Sequence, residues 1–84
     1  MNKEKSYEDN IIYQVVVYKN PSDYPGMFVA RRWNIVPGGL HCTNEIFTSK
    51  QIADIHDWVY KKYPDLVCMS RSKDDDPAIY EVWI

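Results

Sequence analysis

Apolar residues recur at two different periods along this chain, and the change of period divides it into elements. Between Thr48 and Tyr63 the positions Ile52, Ile55, Val59 and Tyr63 follow each other at three- and four-residue steps, the spacing of one helical stripe. Lys50, Asp54, Asp57 and Lys61 fall opposite, and Asp57 precedes Lys61 in the favourable i,i+4 order. Thr48 is the expected N-cap, Gln51 completes a capping box, and Phe47 and Ile52 form a hydrophobic staple. Pro64 ends the helix, because the residue before a proline is displaced from the α region. Trp58 lies off the stripe, at the margin of the outer face. A helix of about four turns is not stable alone, so it needs an apolar surface to pack on.

The remaining segments have the two-residue period and the β-branched and aromatic content of strands. Asn10 to Lys19 is the first, with Ile11, Tyr13, Val15 and Val17 expected to face the helix. Asn20-Pro-Ser-Asp-Tyr-Pro-Gly26 is a turn. Met27 to Val36 is the second strand; adjacent Arg31 and Arg32 put one guanidinium on each face, and at least one is expected to meet a carboxylate or reach over an edge. Pro37-Gly38-Gly39 is a second turn. Leu40 to Phe47 reads either as a short strand or as irregular chain. Leu66 to Ser70 and Ala78 to Ile84 are further strands around a polar loop, 71–77. In the last strand Ala78, Tyr80, Val82 and Ile84 are expected on one face, and Ile79, Glu81 and Trp83 on the outer one.

The order β-β-(β)-α-β-β with short polar connections implies antiparallel pairing. The expected fold is α+β: a two-layer domain with four to five antiparallel strands and one helix on one face. Residues 1–9, charged and polar, are expected to form a flexible arm before a single domain over 10–84. Twelve aromatics in 84 residues (three Trp, seven Tyr and two Phe) exceed what one thin core can hold, so some should be exposed. The charge balance, ten Lys and Arg against twelve Asp and Glu, disfavours nucleic acid as a partner. No apolar run approaches the length of a membrane span. The first ten residues lack the apolar core of a signal peptide. With only Cys42 and Cys68, no disulfide framework is expected. A cytoplasmic location follows as the expectation.

The sheet face away from the helix is the leading candidate surface. It is expected to carry Ile12, Val16 and Tyr18 from the first strand, Trp33 or Phe28 from the second, and Ile79 and Trp83 from the last, with Trp58 extending it round the edge. Apolar and aromatic patches of this kind mark interfaces, and Tyr, Trp and Arg predominate at binding hot spots. A protein partner or a homodimer would cover it; folding back of 37–47 is the alternative. Tyr18, Arg31, Arg32 and Trp33 also form a weaker stacking-plus-cation set for a nucleotide, with sites between subunits. Asp74, Asp75 and Asp76 lack the alternating ligands of a calcium loop and read as a solvated turn, or as a negative hook for a basic partner. His41, Cys42, His56 and Cys68 match no zinc spacing, so no metal or other cofactor is expected. His56 reads as a satisfied, half-buried flank residue, and a Cys42–His56 nucleophile pair has no further support. Without a catalytic triad, paired carboxylates or a glycine-rich fingerprint, the chain is not expected to be an enzyme.

Tyr18 to Gly26 followed by Phe28-Val-Ala-Arg-Arg-Trp33 resembles a hairpin of small uncharacterised proteins of Gram-positive bacteria and their phages, and Arg71 to Trp83 is similar to their ends. The resemblance touches about half the chain and implies a compact cytoplasmic protein, phage-borne in some settings. By topology alone the chain also resembles the HicB-type antitoxin domain, from which it departs by the insertion at 71–77, the strand after it and the lack of a helix-turn-helix. These features together give the expected function: a non-enzymatic interaction module, such as a phage or prophage inhibitor that blocks a bacterial defence or toxin protein.

Overall fold

The computed structural model describes residues 12–69 and 78–84. The expected arm 1–9, Ile11 and the triplet Asp74, Asp75 and Asp76 lie outside the described residues. Three long strands come first: β1 (Ile12–Lys19), β2 (Phe28–Val36) and β3 (Gly39–Ser49). Helix α1 (Ile52–Lys62), β4 (Cys68–Met69) and β5 (Ile79–Trp83) follow. The strands form one sheet in the order β3-β2-β1-β5-β4, with every neighbouring pair antiparallel. This is an α+β domain with α1 packed on one face of the sheet. The helix carries the chain from one sheet edge, β3, to the other, β4.

The turns follow from the residues that break the alternation. Asn20 takes a positive φ of 54° and its side chain accepts a hydrogen bond from the Gly26 N–H at 2.7 Å, which closes the loop between β1 and β2. Pro37 and Gly38 join β2 to β3, with Val36 paired to Gly39. Gly38 has φ 96°, the conformation that position must adopt and that a side chain resists.

Segment 37–47 is therefore the turn and most of a strand, and does not fold over the sheet. That strand continues through Thr48 and Ser49, which pair with Val29 and Phe28. Thr48 is thus not the helix cap, and Phe47 is not a staple residue. A ladder shared with β2 satisfies these backbone groups more fully than one capping bond would. The helix starts instead at Ile52, and Ser49 supports it: its Oγ accepts from the Gln51 N–H at 3.1 Å and donates to Asp54 Oδ2 at 2.7 Å. Gln51 occupies the N-cap position without a side-chain bond, and the helix closes at Tyr63, before Pro64.

Val15 and Val17 of β1 pack with Ala30, Ile55, Val59, Tyr63 and Trp83 as the core, with Tyr13 against its edge. The odd positions of β1 thus face the helix, as the alternation predicts. Trp83 overturns its expected outward placement, being only 3% exposed within this core. The cause is a bulge. Ile79 pairs with Tyr18, yet Glu81 pairs with Val17 and Trp83 with Val15, so one extra residue, Tyr80, enters the strand. Ile79 stays on the outer face while Glu81 and Trp83 turn under the helix. Tyr80 leaves its expected face-mate Val82 and meets the Phe28 ring at 5.3 Å.

Candidate binding surface

The register gives the helix-free face as a set of rows. Ile79, Tyr18, Val29 and Thr48 form one; Val82, Val16, Arg31 and Ile46 the next. Gln14, Trp33 and Cys42 follow, then Ile12, Ile35 and Leu40. Met69, opposite Val82, extends the face onto β4. Among the described residues no helix or strand packs over it. Val16 and Val29 are buried mid-sheet, but Ile12 is 63% exposed and Leu40 55%, and Ile35 and Met69 are exposed beside them. Val67 and Ile84, which exchange backbone hydrogen bonds at 2.8 and 2.9 Å, add two more exposed apolar side chains at the β4 end.

Within this face, Tyr18, Val29, Arg31, Trp33 and Cys42, with Pro21 and Asp23 of the β1–β2 loop, line a depression of about 270 Å³. Arg31 Nη1 donates to Cys42 Sγ at 3.1 Å. That bond raises the guanidinium's pKa further, against the smaller opposing effect of burial, and the nearby Asp23 carboxylate adds to it. The Trp33 indole Nε1 is shielded from solvent and has no acceptor among the described residues. Of the nucleotide set, the fold thus gathers Tyr18, Arg31 and Trp33 and separates Arg32.

Arg32 lies on the helix side. Its guanidinium stacks 4.2 Å from the Tyr13 ring centre and stands 3.9 Å from Glu45, the carboxylate partner that its half-buried position calls for. A second irregularity places Glu45 there: Thr43, Asn44 and Glu45 together oppose Arg32, with Thr43 Oγ1 donating to the Arg32 carbonyl at 2.8 Å and accepting from the Glu45 N–H. Glu45 also accepts from the Tyr63 hydroxyl. Burial first, and this bond second, push the Tyr63 phenol up to about 12. A raised pKa favours the neutral phenol in the folded chain. Its stabilising contribution is therefore complete below about pH 10 and is lost as the pH rises to about 12. Urea midpoints should fall more steeply over that window for the native chain than for Tyr63→Phe. Parallel pH profiles for the two would contradict this.

Trp58 belongs to the helix layer: its ring stacks on Phe47 at 5.4 Å and meets Tyr63 edge-on. With Asp54, Asp57, Lys61 and Lys62 the Phe47 and Trp58 rings line a larger groove of about 440 Å³. Its charges are engaged locally: Asp57 with Lys61 at 3.0 Å, Lys62 with Glu45 at 3.8 Å, and Asp54 with Ser49. The groove thus offers a partner few unspent polar groups.

His56 is satisfied and half-buried, as read from its place on the helix. Its Nε2 lies 2.8 and 2.9 Å from the two Glu81 oxygens, and Trp83 Nε1 donates to Glu81 at 3.1 Å. This clamp ties α1 to β5. The sheet lies between His56 and Cys42, which excludes the nucleophile pair. Cys42 and Cys68 are free thiols on opposite edge strands, and burial together with Glu81 raises the Cys68 pKa. Among the described residues no three His, Cys, Asp or Glu side chains gather to hold a metal ion, and no helix is long and apolar enough to cross a membrane. Comparison with protein-family models, with curated proteins and with solved structures found no match.

Proposed function

We propose that this chain is a non-enzymatic protein-interaction module whose helix-free sheet face docks a protein partner. One observation carries the reading: a single sheet face presents Ile12, Ile35, Leu40 and Met69 to solvent around the Tyr18–Arg31–Trp33 depression. Contiguous apolar surface with an aromatic and arginine centre is the composition of an interface core. On the helix side the apolar stripe of Ile55, Val59 and Tyr63 is spent in the core, and the charges around the Phe47–Trp58 groove pair locally. The hairpin resemblance adds the setting, a phage or prophage inhibitor that occupies a functional surface of a bacterial defence or toxin protein.

The test is affinity capture from a bacterial lysate with three baits: the native chain, Leu40→Glu and Asp57→Lys. Leu40→Glu should reduce partner recovery at least tenfold while changing stability by no more than ~0.5 kcal/mol, since the site is exposed. Asp57→Lys, on the outer helix face, should capture as the native chain does. Equal recovery by all three would overturn the reading. So would a native chain that sizes as a dimer and turns monomeric with Leu40→Glu, because a second copy would then occupy the face.

A further inference from the structure

The depression on the open face holds a guanidinium whose hydrogen-bonding capacity is largely unspent among the described residues. A guanidinium carries five N–H donors in a planar fork. Among the described residues the hydrogen-bond partner of Arg31 is the Cys42 thiol, and sulfur is a weak acceptor. Asp23 also lines the depression, near enough to act electrostatically, but forms no ion pair with Arg31 among the described residues. Trp33, in the wall, contributes an indole N–H with no acceptor among the described residues. A buried donor left unmet favours any rearrangement that supplies an oxygen. Among the described residues, an arginine bonded to a thiol stands beside an indole donor without an acceptor, which leaves donors to spare.

We propose that this depression receives a carboxylate-bearing side chain, Glu or Asp, of the protein partner, with Arg31 as the anchor and the Tyr18 and Trp33 rings as walls. The proposal rests on the reading of the open face as a docking surface and names the chemistry at its centre. A carboxylate would accept two parallel N–H···O bonds from the fork, charge-assisted and stronger than the bond to sulfur. The rings and Val29 suit the methylenes behind the carboxylate. The size agrees: about 270 Å³ falls below the ~300–1,000 Å³ of pockets that enclose a whole ligand.

Phosphate fits less well. A dianion calls for more than one cation, yet Arg32 lies across the sheet with Glu45 and Tyr13. Asp23 in the lining repels a dianion more strongly than a monoanion.

The three tryptophans give a direct readout, because each reports a different place: Trp33 the depression, Trp58 the helix-flank groove and Trp83 the core. The probes are benzoate and benzamide, which share a ring and differ in the carboxylate, titrated into the ¹⁵N-labelled full chain. Benzoate should shift the Trp33 indole and Arg31 Nε–H signals saturably, and at least tenfold more tightly than benzamide. Arg31→Gln should abolish that preference while leaving the Trp58 and Trp83 indole signals in place, which shows that the variant folds. Equal binding of the two probes, an unchanged preference in Arg31→Gln, or shifts at Trp58 in place of Trp33 would overturn the proposal. The two readings fail separately. If no carboxylate preference is found while Leu40→Glu still abolishes capture, the depression loses its assignment and the docking face stands. If benzoate binds as expected but no captured protein depends on the open face, the docking reading falls, and the carboxylate's assignment to a protein falls with it.

Discussion

Trp83→Ala is expected to destabilise the domain by about 3–5 kcal/mol, the cost of removing a large aromatic from a packed core. The side chain is 3% exposed, sits in one cluster with Val15, Ile55 and Val59, and meets the His56 and Tyr60 rings at 5.6 and 5.3 Å. Its indole N–H also donates to Glu81, which holds His56. Truncation therefore opens a cavity and loosens the clamp between α1 and β5 together. Small domains have only ~5–15 kcal/mol in total, so most of the folded population is at stake. Urea unfolding checks this, with Trp83→Phe expected to lose less because a ring remains. A shift below ~0.5 kcal/mol, the range of ordinary surface substitutions, would place Trp83 on the surface instead.

Ile55→Ala should cost about 2–5 kcal/mol by the same measurement. Ile55 is fully buried at the centre of the helix stripe, over Val15, Val17 and Ala30. Those neighbours are small or β-branched, with few rotamers to extend into the space, so the cavity would collapse little. Ile55→Val removes one methylene and should cost about 0.5–1.5 kcal/mol. A loss for Ile55→Ala no greater than for Ile55→Val would mean that the helix does not seat on the sheet through this residue.

The helix stripe and the two faces of β1 were legible because local period and burial agree there. Ile55, Val59 and Tyr63 point where a 3.6-residue repeat sends them, and Val15 and Val17 where alternation does. Trp83 was not legible. Counting by twos from Ile79 puts it outside, and a bulge is a pairing event that no single strand announces. The bulge also separated Tyr80 from Val82. Ser49 as the helix-supporting residue was hidden by Thr48 and Gln51, whose capping pattern is locally sound but lost to the β2 ladder. At the candidate surface, the two arginines were correctly sent to opposite faces. Glu45 as the partner of Arg32, and Cys42 as the partner of Arg31, depend on the β2–β3 register and its irregularity, which lie outside local sequence. The signal for Arg32 was the expectation that at least one of the two arginines meets a carboxylate or reaches over an edge; it named neither the arginine nor the carboxylate.

Carbene footprinting of the chain, alone and with a captured partner bound, tests the central claim most directly. The account predicts heavy labelling of Ile12, Ile35, Leu40 and Met69 in the free chain and their protection in the complex, with Asp54, Asp57 and Lys61 labelled equally in both. Protection of the helix residues, with the four apolar positions unchanged, would contradict it.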